Sequence, residues 1–309
     1  MEVKHMSKAM LIINPASGKG TGERIQADLE MALTASFDEI ETRFTQGESD
    51  TKYWSREASE KNYEAVVVVG GDGTVNEGIS GIAELDTRIK FGFIPLGTAN
   101  DLGRALGISL NPRKAAKDLT NFKTRKIDIA RINNQYFCNV AAIGAIPSAV
   151  METSSEEKSK FGFFAYVRDS MRAVLKNSPY TYKLILDDDK EVEISTKVLV
   201  IALTNSVGSF ENMVAKASPD DGLLHIMALK DENLLMEIPG LLKELNGGYI
   251  SEANNMLTYH VKKVVISVMN ENAMDVKVNI DGETGPILPV EIEILPSHIE
   301  VMVPSEATE

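Results

Sequence analysis

The chain has 309 residues, of which 43% are hydrophobic, and a formal net charge of −13. Such an acidic chain is poorly suited to bind nucleic acid or, as a whole molecule, an anionic membrane. Its one cysteine, Cys138, excludes an internal disulfide and fits a reducing cytosol, and its four histidines lack the spacing of a zinc site. We find no apolar run as long as a membrane span and expect no signal peptide.

The first part of the chain alternates predicted strands with predicted helices. Strands are expected at residues 10–13, 39–44, 66–69 and 90–94, and helices at 22–34, 50–61, 75–83, 99–106 and 112–119. This alternation is typical of a parallel sheet that is covered on both faces. The sequence therefore predicts an α/β domain over residues 7–130.

Strand patterns dominate the chain after about residue 130. Strands are expected at residues 180–186, 191–203, 261–268, 276–280 and 290–295, and two helical segments, 160–176 and 234–245, interrupt them. We therefore expect a second, β-rich domain over residues 131–295, with a cleft between the two domains.

Three predicted strand-to-helix turns, at residues 14–20, 70–74 and 95–101, are rich in Gly, Ser, Thr or Asn. In an open α/β sheet such turns meet at the carboxyl ends of the strands, where ligands bind, and their glycines admit phosphate oxygens. The carboxylate of Asp72 would repel phosphate by itself, so we expect it to act through Mg²⁺ in phosphoryl transfer. The alternative is an ordinary glycine turn, because neither a Walker A loop nor Gly-x-Gly-x-x-Gly is present.

These three turns, together with Asp281-Gly282-Glu283 late in the chain, resemble the bacterial diacylglycerol kinase family, soluble lipid kinases related to sphingosine and ceramide kinases. The resemblance covers nearly the whole chain. It implies a Rossmann-like nucleotide-binding domain, a β-sandwich-like second domain and a C-terminal segment, residues 296–309, that returns to the first domain. The Gly-Gly-Asp-Gly-Thr turn alone is shared with NAD kinases.

The resemblance implies ATP as the phosphate donor, Mg²⁺ as the metal and a membrane lipid, most simply diacylglycerol, as the acceptor. The nucleotide contacts that it implies are Asn14, Pro15, Ala16, Ser17, Gly18, Gly71, Asp72, Gly73, Thr74, Val75, Asn76, Glu77 and Thr98, with Thr45 as a weaker candidate.

Asp281 and Glu283 flank a glycine directly after a predicted strand. The residues alone favour a polar hairpin turn, because Asp-Gly is a common hairpin signal. The resemblance instead implies that this pair activates the lipid hydroxyl. It leaves open which of the two is the base, and whether the other holds Mg²⁺ or a lysine.

A second metal position is implied at Ser218, Asp221 and Leu223, within Ser218-Pro219-Asp220-Asp221-Gly222-Leu223. Hard oxygen ligands of this kind suit Mg²⁺ or Ca²⁺. The segment departs from the family pattern at Ala215, Lys216 and Leu223, so a solvated acidic turn stays an equal alternative.

Contact with a membrane requires a local surface in so acidic a chain. The predicted helix at residues 160–176 carries cations on one face, namely Lys160, Arg168, Arg172 and Lys176. Lys19 and Arg104 are further candidates for that surface or for phosphate contact. A solvated helix face is the alternative. We expect a cytoplasmic protein that meets its lipid peripherally at the inner face of the cell membrane, and the resemblance also admits a homodimer.

Two other functions remain open. An NAD kinase-like enzyme would share the Gly-Gly-Asp-Gly-Thr turn, although the segments at residues 14–18 and 95–101 count against it. A catalytically silent lipid-binding or regulatory protein is the second, and the intact Asp72, Asp281 and Glu283 count against that one.

Overall fold

The structure is a computed structural model that describes residues 6–144, 178–187, 189–206, 214, 217–229, 256–270 and 275–305. The predicted helices at 160–176 and 234–245 lie outside these residues, and so do the cations of the first helix, Ala215 and Lys216.

The helices of the described residues are α1 (Thr21–Arg24), α2 (Gln26–Leu33), α3 (Asp50–Glu60), α4 (Asp72–Ala83), α5 (Asp101–Ala105) and α6 (Pro112–Asp118). The strands are β1 (Lys8–Ile13), β2 (Glu39–Phe44), β3 (Ala65–Gly70), β4 (Lys90–Pro95), β5 (Phe122–Ile132), β6 (Gln135–Phe137), β7 (Val140–Gly144), β8 (Tyr180–Leu186), β9 (Lys190–Thr196), β10 (Val198–Ala202), β11 (Leu224–Leu229), β12 (Met256–Val261), β13 (Lys263–Val268), β14 (Lys277–Ile280), β15 (Glu283–Ile287) and β16 (Val290–Pro304).

The chain divides into two compact units. We call Met1–Ile129 with Pro296–Glu309 the N-terminal unit, and Ala130–Leu295 the C-terminal unit. Strands β5 and β16 each run from one unit into the other.

The N-terminal unit is built on a parallel sheet in the order β2-β1-β3-β4. Every residue of β3 is buried, as expected for a β-branched run in a parallel sheet that is covered on both faces. The end of β16 lies beside β4, where Val301 pairs with Phe91. Because the chain leaves β1 towards β2 but returns to β3 on the other side, the strand order reverses between β1 and β3. This reversal is the topological switch point at which α/β sheets bind ligands.

The C-terminal unit contains two antiparallel sheets. One has six strands in the order β12-β11-β10-β7-β14-β15. In the other, the first part of β16 pairs with β13, β13 with β8, and β8 with β9. Buried side chains from both sheets form one hydrophobic cluster, which includes Ile143, Leu199 and Ile226 from the first sheet and Tyr182 and Ile266 from the second. This arrangement is a β-sandwich.

The prediction of one strand over residues 191–203 was wrong. The chain turns at Lys197, so that β9 belongs to one sheet and β10 to the other. The hydroxyl of Thr196 donates to the carbonyl of Val198 at 2.9 Å and closes this corner. The change from an alternating to a continuous apolar pattern marks the move from an outer strand, β9, to one inside the six-stranded sheet, β10.

Other differences are at strands that the sequence did not predict, namely β5, β6, β7, β11, β12 and β15. Strand β16 also continues past the predicted end at residue 295 to Pro304. It passes Ser297, which has a φ of 50° and whose amide donates to the Asp128 carboxylate at 2.7 Å. Among the described residues, no helix combines the length and the hydropathy of a bilayer span.

Candidate active site

The turns that follow β1, β3 and β4 are joined by hydrogen bonds. The amide of Asn14 donates to the carbonyl of Val69 at 2.9 Å, and the amide of Leu96 donates to the carbonyl of Gly70 at 2.7 Å. The side-chain amide of Asn14 also donates to the hydroxyl of Thr74 at 3.0 Å. The three segments singled out by their composition therefore form one continuous surface at the switch point of the N-terminal unit.

The turn after β1 is shaped by Asn14 and by left-handed residues. The Oδ1 atom of Asn14 accepts the amide of Ala16 at 3.0 Å, and its carbonyl accepts the amide of Ser17 at 3.2 Å. Gly18, Lys19 and Gly20 then have φ angles of 60°, 55° and 73°. Glycine adopts such angles without strain. The side chains of Pro15, Ala16 and Ser17 are all at least partly accessible on this turn.

The turn after β3 leads into α4, which begins at Asp72, three residues before the predicted start at Val75. Gly71 occupies the N-cap position, so no N-cap side chain accepts the first amides of α4. A Cβ atom on Gly70 would lie 2.5 Å from Thr74, which explains the requirement for glycine there. Gly73 and Thr74 lie in this first turn, where an anion is favoured by the helix dipole.

Asp72 connects this helix to the turn after β4. Its Oδ2 atom accepts the amide of Asn100 at 3.0 Å. Burial raises the pKa of the Asp72 carboxyl above its ordinary value; the amide of Asn100 opposes this rise, and the negative charge of Asp101 adds to it. A second carboxylate, that of Asp101, is itself buried, with 6% of the residue exposed. Two neighbouring, poorly hydrated carboxylates favour the approach of a cation.

Asn100 and Asp101 were not among the predicted site residues. The side chain of Asn100 holds the turn after β4, because its Oδ1 accepts the amide of Gly97 and its Nδ2 donates to the carbonyl of Gly97, both at 2.8 Å. Both residues lie in the quoted segment 95–101, and the pairing of an amide with a carboxylate there was the available signal. Thr98, which was predicted, is exposed in the same turn.

The other predicted nucleotide contacts differ in their surroundings. Val75 is 4% exposed, so it offers its backbone rather than its side chain. Glu77 is half-buried, which raises the pKa of its carboxyl, and it accepts the amide of Ser49 at 3.3 Å. The amide of Thr45 donates to the carbonyl of Ile13 at 2.9 Å, which places Thr45 at the carboxyl end of β2 beside the switch point. Asn76, which lies on α4 between Val75 and Glu77 in the sequence, is partly buried.

The two cations near these turns are not equivalent. The side chain of Arg104 donates to the carbonyl of Ala99 at 3.0 Å, which ties it to the turn after β4. Lys19 is exposed, and its carbonyl accepts the side chain of Arg24 at 2.7 Å. Lys19 therefore presents its side chain to solvent next to the left-handed turn, while Arg104 supports the neighbouring turn.

In the C-terminal unit, Asp281 and Gly282 form the two-residue turn between β14 and β15, with Ile280 opposite Glu283. Both turn residues have a positive φ, 50° and 94°, as a type I′ hairpin requires. The hairpin interpretation of this sequence is therefore correct for the backbone.

The Asp281 carboxylate is engaged by the segment that precedes β7. The backbone amides of Cys138, Asn139 and Val140 donate to its oxygens at 3.0, 3.2 and 2.7 Å. The Cys138 thiol also lies 3.6 Å from Oδ2, so four groups contact a carboxylate that has about four acceptor positions. Glu283, by contrast, is exposed at the start of β15. The two carboxylates that the sequence could not distinguish therefore have different environments.

A buried polar network supports the residues that hold Asp281. The hydroxyl of Thr204 donates to Oδ1 of Asn139, and it also lies 3.0 Å from the carbonyl of Ser206. Asn139, Thr204 and Ser206 are 6%, 0% and 1% exposed. Buried polar networks hold their members in one arrangement when their bonds are satisfied. No local sequence pattern predicts this network, because Asn139 and Thr204 are 65 residues apart.

The implied second metal position lies in a closed turn. Asp221 accepts the amides of Ser218 and Leu223 at 2.9 and 3.0 Å, and its Oδ2 is also 2.8 Å from Nε2 of His225. The amide of Asp221 in turn donates to the carbonyl of Ser218 at 3.2 Å. These residues fit a divalent cation poorly, because the Asp221 carboxylate and the Ser218 carbonyl are already hydrogen-bond acceptors. Within the described residues, no three His, Cys, Asp or Glu side chains form a group that could hold a metal ion.

Comparison with known proteins agrees with this architecture. Residues 8–132 match the family model of the diacylglycerol kinase catalytic domain, and residues 140–303 match that of the YegS C-terminal NAD kinase beta sandwich-like domain. The chain is 34% identical to a diacylglycerol kinase of Bacillus subtilis over 98% of this chain and 99% of that protein. It is 32% identical to a diacylglycerol kinase of Staphylococcus epidermidis, over 97% and 93%. The chain belongs to the bacterial diacylglycerol kinase family.

The predicted fold class of this family member is confirmed. A solved structure from Bacillus anthracis matches with a TM-score of 0.82 and 26% identity, over 96% of this chain and 97% of that one. The chain combines a parallel α/β sheet with a β-sandwich, and the second family model describes the matched C-terminal region as beta sandwich-like.

Proposed function

We propose that the protein is an ATP- and Mg²⁺-dependent lipid kinase that phosphorylates the hydroxyl of diacylglycerol to give phosphatidic acid. Membership of a lipid kinase family supports the reaction class. The observation that carries the proposal is the meeting of three turns around Asp72 at the switch point of the parallel sheet. We further propose that this acidic protein meets its lipid peripherally, at the inner face of the cell membrane.

The nucleotide phosphates would bind where the backbone is open. The uncapped start of α4 and the left-handed turn at residues 18–20 both present amides, and glycine at position 70 lets the turn approach Thr74 closely. Backbone amides at a helix start bind phosphate without the need for a cationic side chain. This suits a site in which Arg104 is directed to the protein backbone.

Asp72 and Asp101 are suited to hold Mg²⁺ together with the phosphates of ATP. Mg²⁺ sites of nucleotide enzymes use one or two carboxylates and retain several waters. Burial and the nearby Asp101 charge raise the pKa of Asp72, and a cation would relieve this unfavourable arrangement. When bound, Mg²⁺ neutralises charge on the phosphates during transfer.

On the acceptor side, the two carboxylates have separate roles in this proposal. Asp281 fixes the hairpin through three amides. Glu283, exposed directly after the turn, accepts the proton of the lipid hydroxyl as the phosphoryl group is transferred. Asp281 is thus a positioning residue, and Glu283 is the catalytic base.

A transfer assay with radiolabelled ATP tests the proposal. The protein is incubated with diacylglycerol, ceramide, sphingosine and, separately, NAD, and the Asp72→Asn variant serves as the background control. We expect label in phosphatidic acid and none in the control. Label in NADP instead would establish the NAD kinase alternative, and no label in any product would favour the silent lipid-binding alternative; either result contradicts the proposal.

A further inference from the structure

The turn at residues 218–223 in the C-terminal unit is held by hydrogen bonds within the chain. Both oxygens of Asp221 accept backbone amides, from Ser218 at 2.9 Å and Leu223 at 3.0 Å. The Ser218 hydroxyl donates to Asp220 at 2.5 Å. The turn is therefore organised around its own carboxylate, in the manner of an Asx turn.

An imidazole then links this carboxylate to the sheet. Nε2 of His225, in β11, lies 2.8 Å from Oδ2 of Asp221. His225 is 2% exposed, so the imidazole side of this contact is buried, whereas Asp221 lies at the surface. Hydrogen bonds between an imidazole and a charged partner are stronger than neutral ones, and burial strengthens them further.

A second histidine fixes the orientation of the first. His260 pairs directly with His225 across β11 and β12, and the two Nδ1 atoms are 2.9 Å apart. The rings meet edge to face, with centroids 4.8 Å apart. An unprotonated Nδ1 on His225 can accept from the Nδ1–H of His260, which leaves the Nε2–H of His225 to donate to Asp221.

We infer that the His225–His260 pair takes the place of a structural divalent cation at the Asp221 turn, so that this turn is stable without metal. Three of the roughly four acceptor positions of Asp221 are filled, and the Ser218 carbonyl already accepts the amide of Asp221. With Nε2 of His225 protonated, its N–H donates to Oδ2 of Asp221, one of the oxygens that the implied cation would use. Mg²⁺ also requires near-octahedral ligands, which a turn closed in this way does not offer.

The first test is made on the wild-type full-length protein without nucleotide. Elemental analysis after gel filtration should find far less than one divalent cation per chain, and a chelator should leave the melting temperature unchanged. One tightly bound Mg²⁺ or Ca²⁺ per chain, or a lower melting temperature in the chelator, would overturn the inference if the Asp72→Asn variant, which lacks the proposed catalytic metal ligand, shows the same result. Because ATP is omitted, Mg²⁺ carried by the nucleotide does not enter the measurement.

The second test removes the imidazole. His225→Ala should lower the melting temperature by roughly 4–8 °C, and His260→Ala by less, because it removes only the support of the first ring. Thr258→Ala, an exposed change on the same strand as His260, is the matched control and should have no effect. An unchanged melting temperature in His225→Ala would contradict the role of the imidazole.

A spectroscopic readout covers the case in which His225→Ala does not fold. Nitrogen-detected NMR of the wild-type imidazoles should show His225 as the Nε2–H tautomer and His260 with a protonated Nδ1. A His225 ring with Nδ1–H and an unprotonated Nε2 would overturn the inference even if no variant could be purified.

Discussion

The two units of the molecule build their candidate sites in different ways. In the N-terminal unit the surface is made of backbone, from glycine-rich turns that meet at the ends of adjacent strands. In the C-terminal unit the equivalent feature is a carboxylate, Asp281, held by amides from residues more than 140 positions earlier in the chain. The first kind of site depends on short contiguous motifs, and the second depends on long-range contacts.

This difference determines how each site should respond to mutation. A site made of backbone should keep its stability when a side-chain charge is removed, even where turnover is lost, but added volume should disturb it, because its shape is set by close approach of the turns. A site fixed by hydrogen bonds to one carboxylate should lose stability when that carboxylate is neutralised. The following substitutions distinguish the two kinds of site, in order of decreasing effect.

The largest effect is expected for Asp72→Asn in the N-terminal unit. It should reduce turnover about a thousandfold or more, which corresponds to several kcal/mol in the activation barrier. The melting temperature should stay the same or rise. The pKa of Asp72 is raised in the folded protein by burial, so its ionised form disfavours folding above its ordinary pKa, and asparagine removes this cost.

Asp86→Asn is the matched control, because it removes the charge of an exposed carboxylate just after α4. It should leave both turnover and the melting temperature unchanged. Steady-state kinetics and thermal denaturation measure both variants. Near-normal activity of folded Asp72→Asn would contradict the assignment of the metal to this carboxylate.

Asp281→Asn and Glu283→Gln should differ in stability. The first places an NH₂ group among three backbone amide donors and should cost about 2–4 kcal/mol of unfolding free energy, with a loss of turnover. The second changes an exposed side chain, so its unfolding free energy should stay within about 0.5 kcal/mol of wild type. Urea denaturation distinguishes them, and equal stability of both variants would be inconsistent with a positioning role for Asp281.

Gly97→Ala tests the backbone site by volume alone. The added Cβ would lie 2.7 Å from Oδ2 of Asp72 and 2.9 Å from Oδ1 of Asn100, so one of the joined turns must shift. We expect ATP affinity to fall about tenfold, since strain of this kind costs roughly 1–3 kcal/mol. Gly47→Ala, where a Cβ would meet no atom within 4 Å, is the control. Calorimetric titration of ATP that gave equal affinities for both variants would show that close approach of the turns is unimportant.

The smallest effect concerns the edge of the parallel sheet. A hydrogen bond from the Tyr63 hydroxyl, together with Arg43 and Lys8, lowers the pKa of Glu41 from 4.5 to about 2. The stabilisation is therefore complete above pH 4.5 and is lost as the pH falls towards 2. Tyr63→Phe should cost about 1 kcal/mol near neutral pH, and the difference from wild type should shrink below pH 4.5. Denaturant midpoints recorded from pH 7 to 3 check this; a difference that grew on acidification would have the wrong sign.

The sequence was sufficient for most of the N-terminal unit because its signals are local. Each of β1 to β4 and α3 was predicted to within two residues, since a buried apolar run between glycine or polar turns has few alternatives. The start of α4 was missed by three residues, because Gly71 and Asp72 were interpreted as turn rather than as cap and first residue.

The C-terminal unit was harder to predict for physical reasons. Short strands such as β6 and β7 have no periodicity long enough to recognise, and whether β9 and β10 are one strand or two depends on a corner at Lys197. In the candidate site, Asp281 and Glu283 were found as a pair, but their different environments depend on the distant residues 138–140. Asp221 and His225 are only four residues apart in the sequence, yet the histidines were considered only as zinc ligands.

The most direct test of the proposed function compares ATP affinity with turnover in Glu283→Gln. If ATP binds to the turns of the N-terminal unit and Glu283 acts on the lipid hydroxyl, the dissociation constant for ATP should stay within about twofold of wild type. Turnover on diacylglycerol at saturating ATP should fall by about a hundredfold or more. Loss of ATP binding with normal turnover at saturating ATP would place Glu283 in the nucleotide site and contradict the assignment.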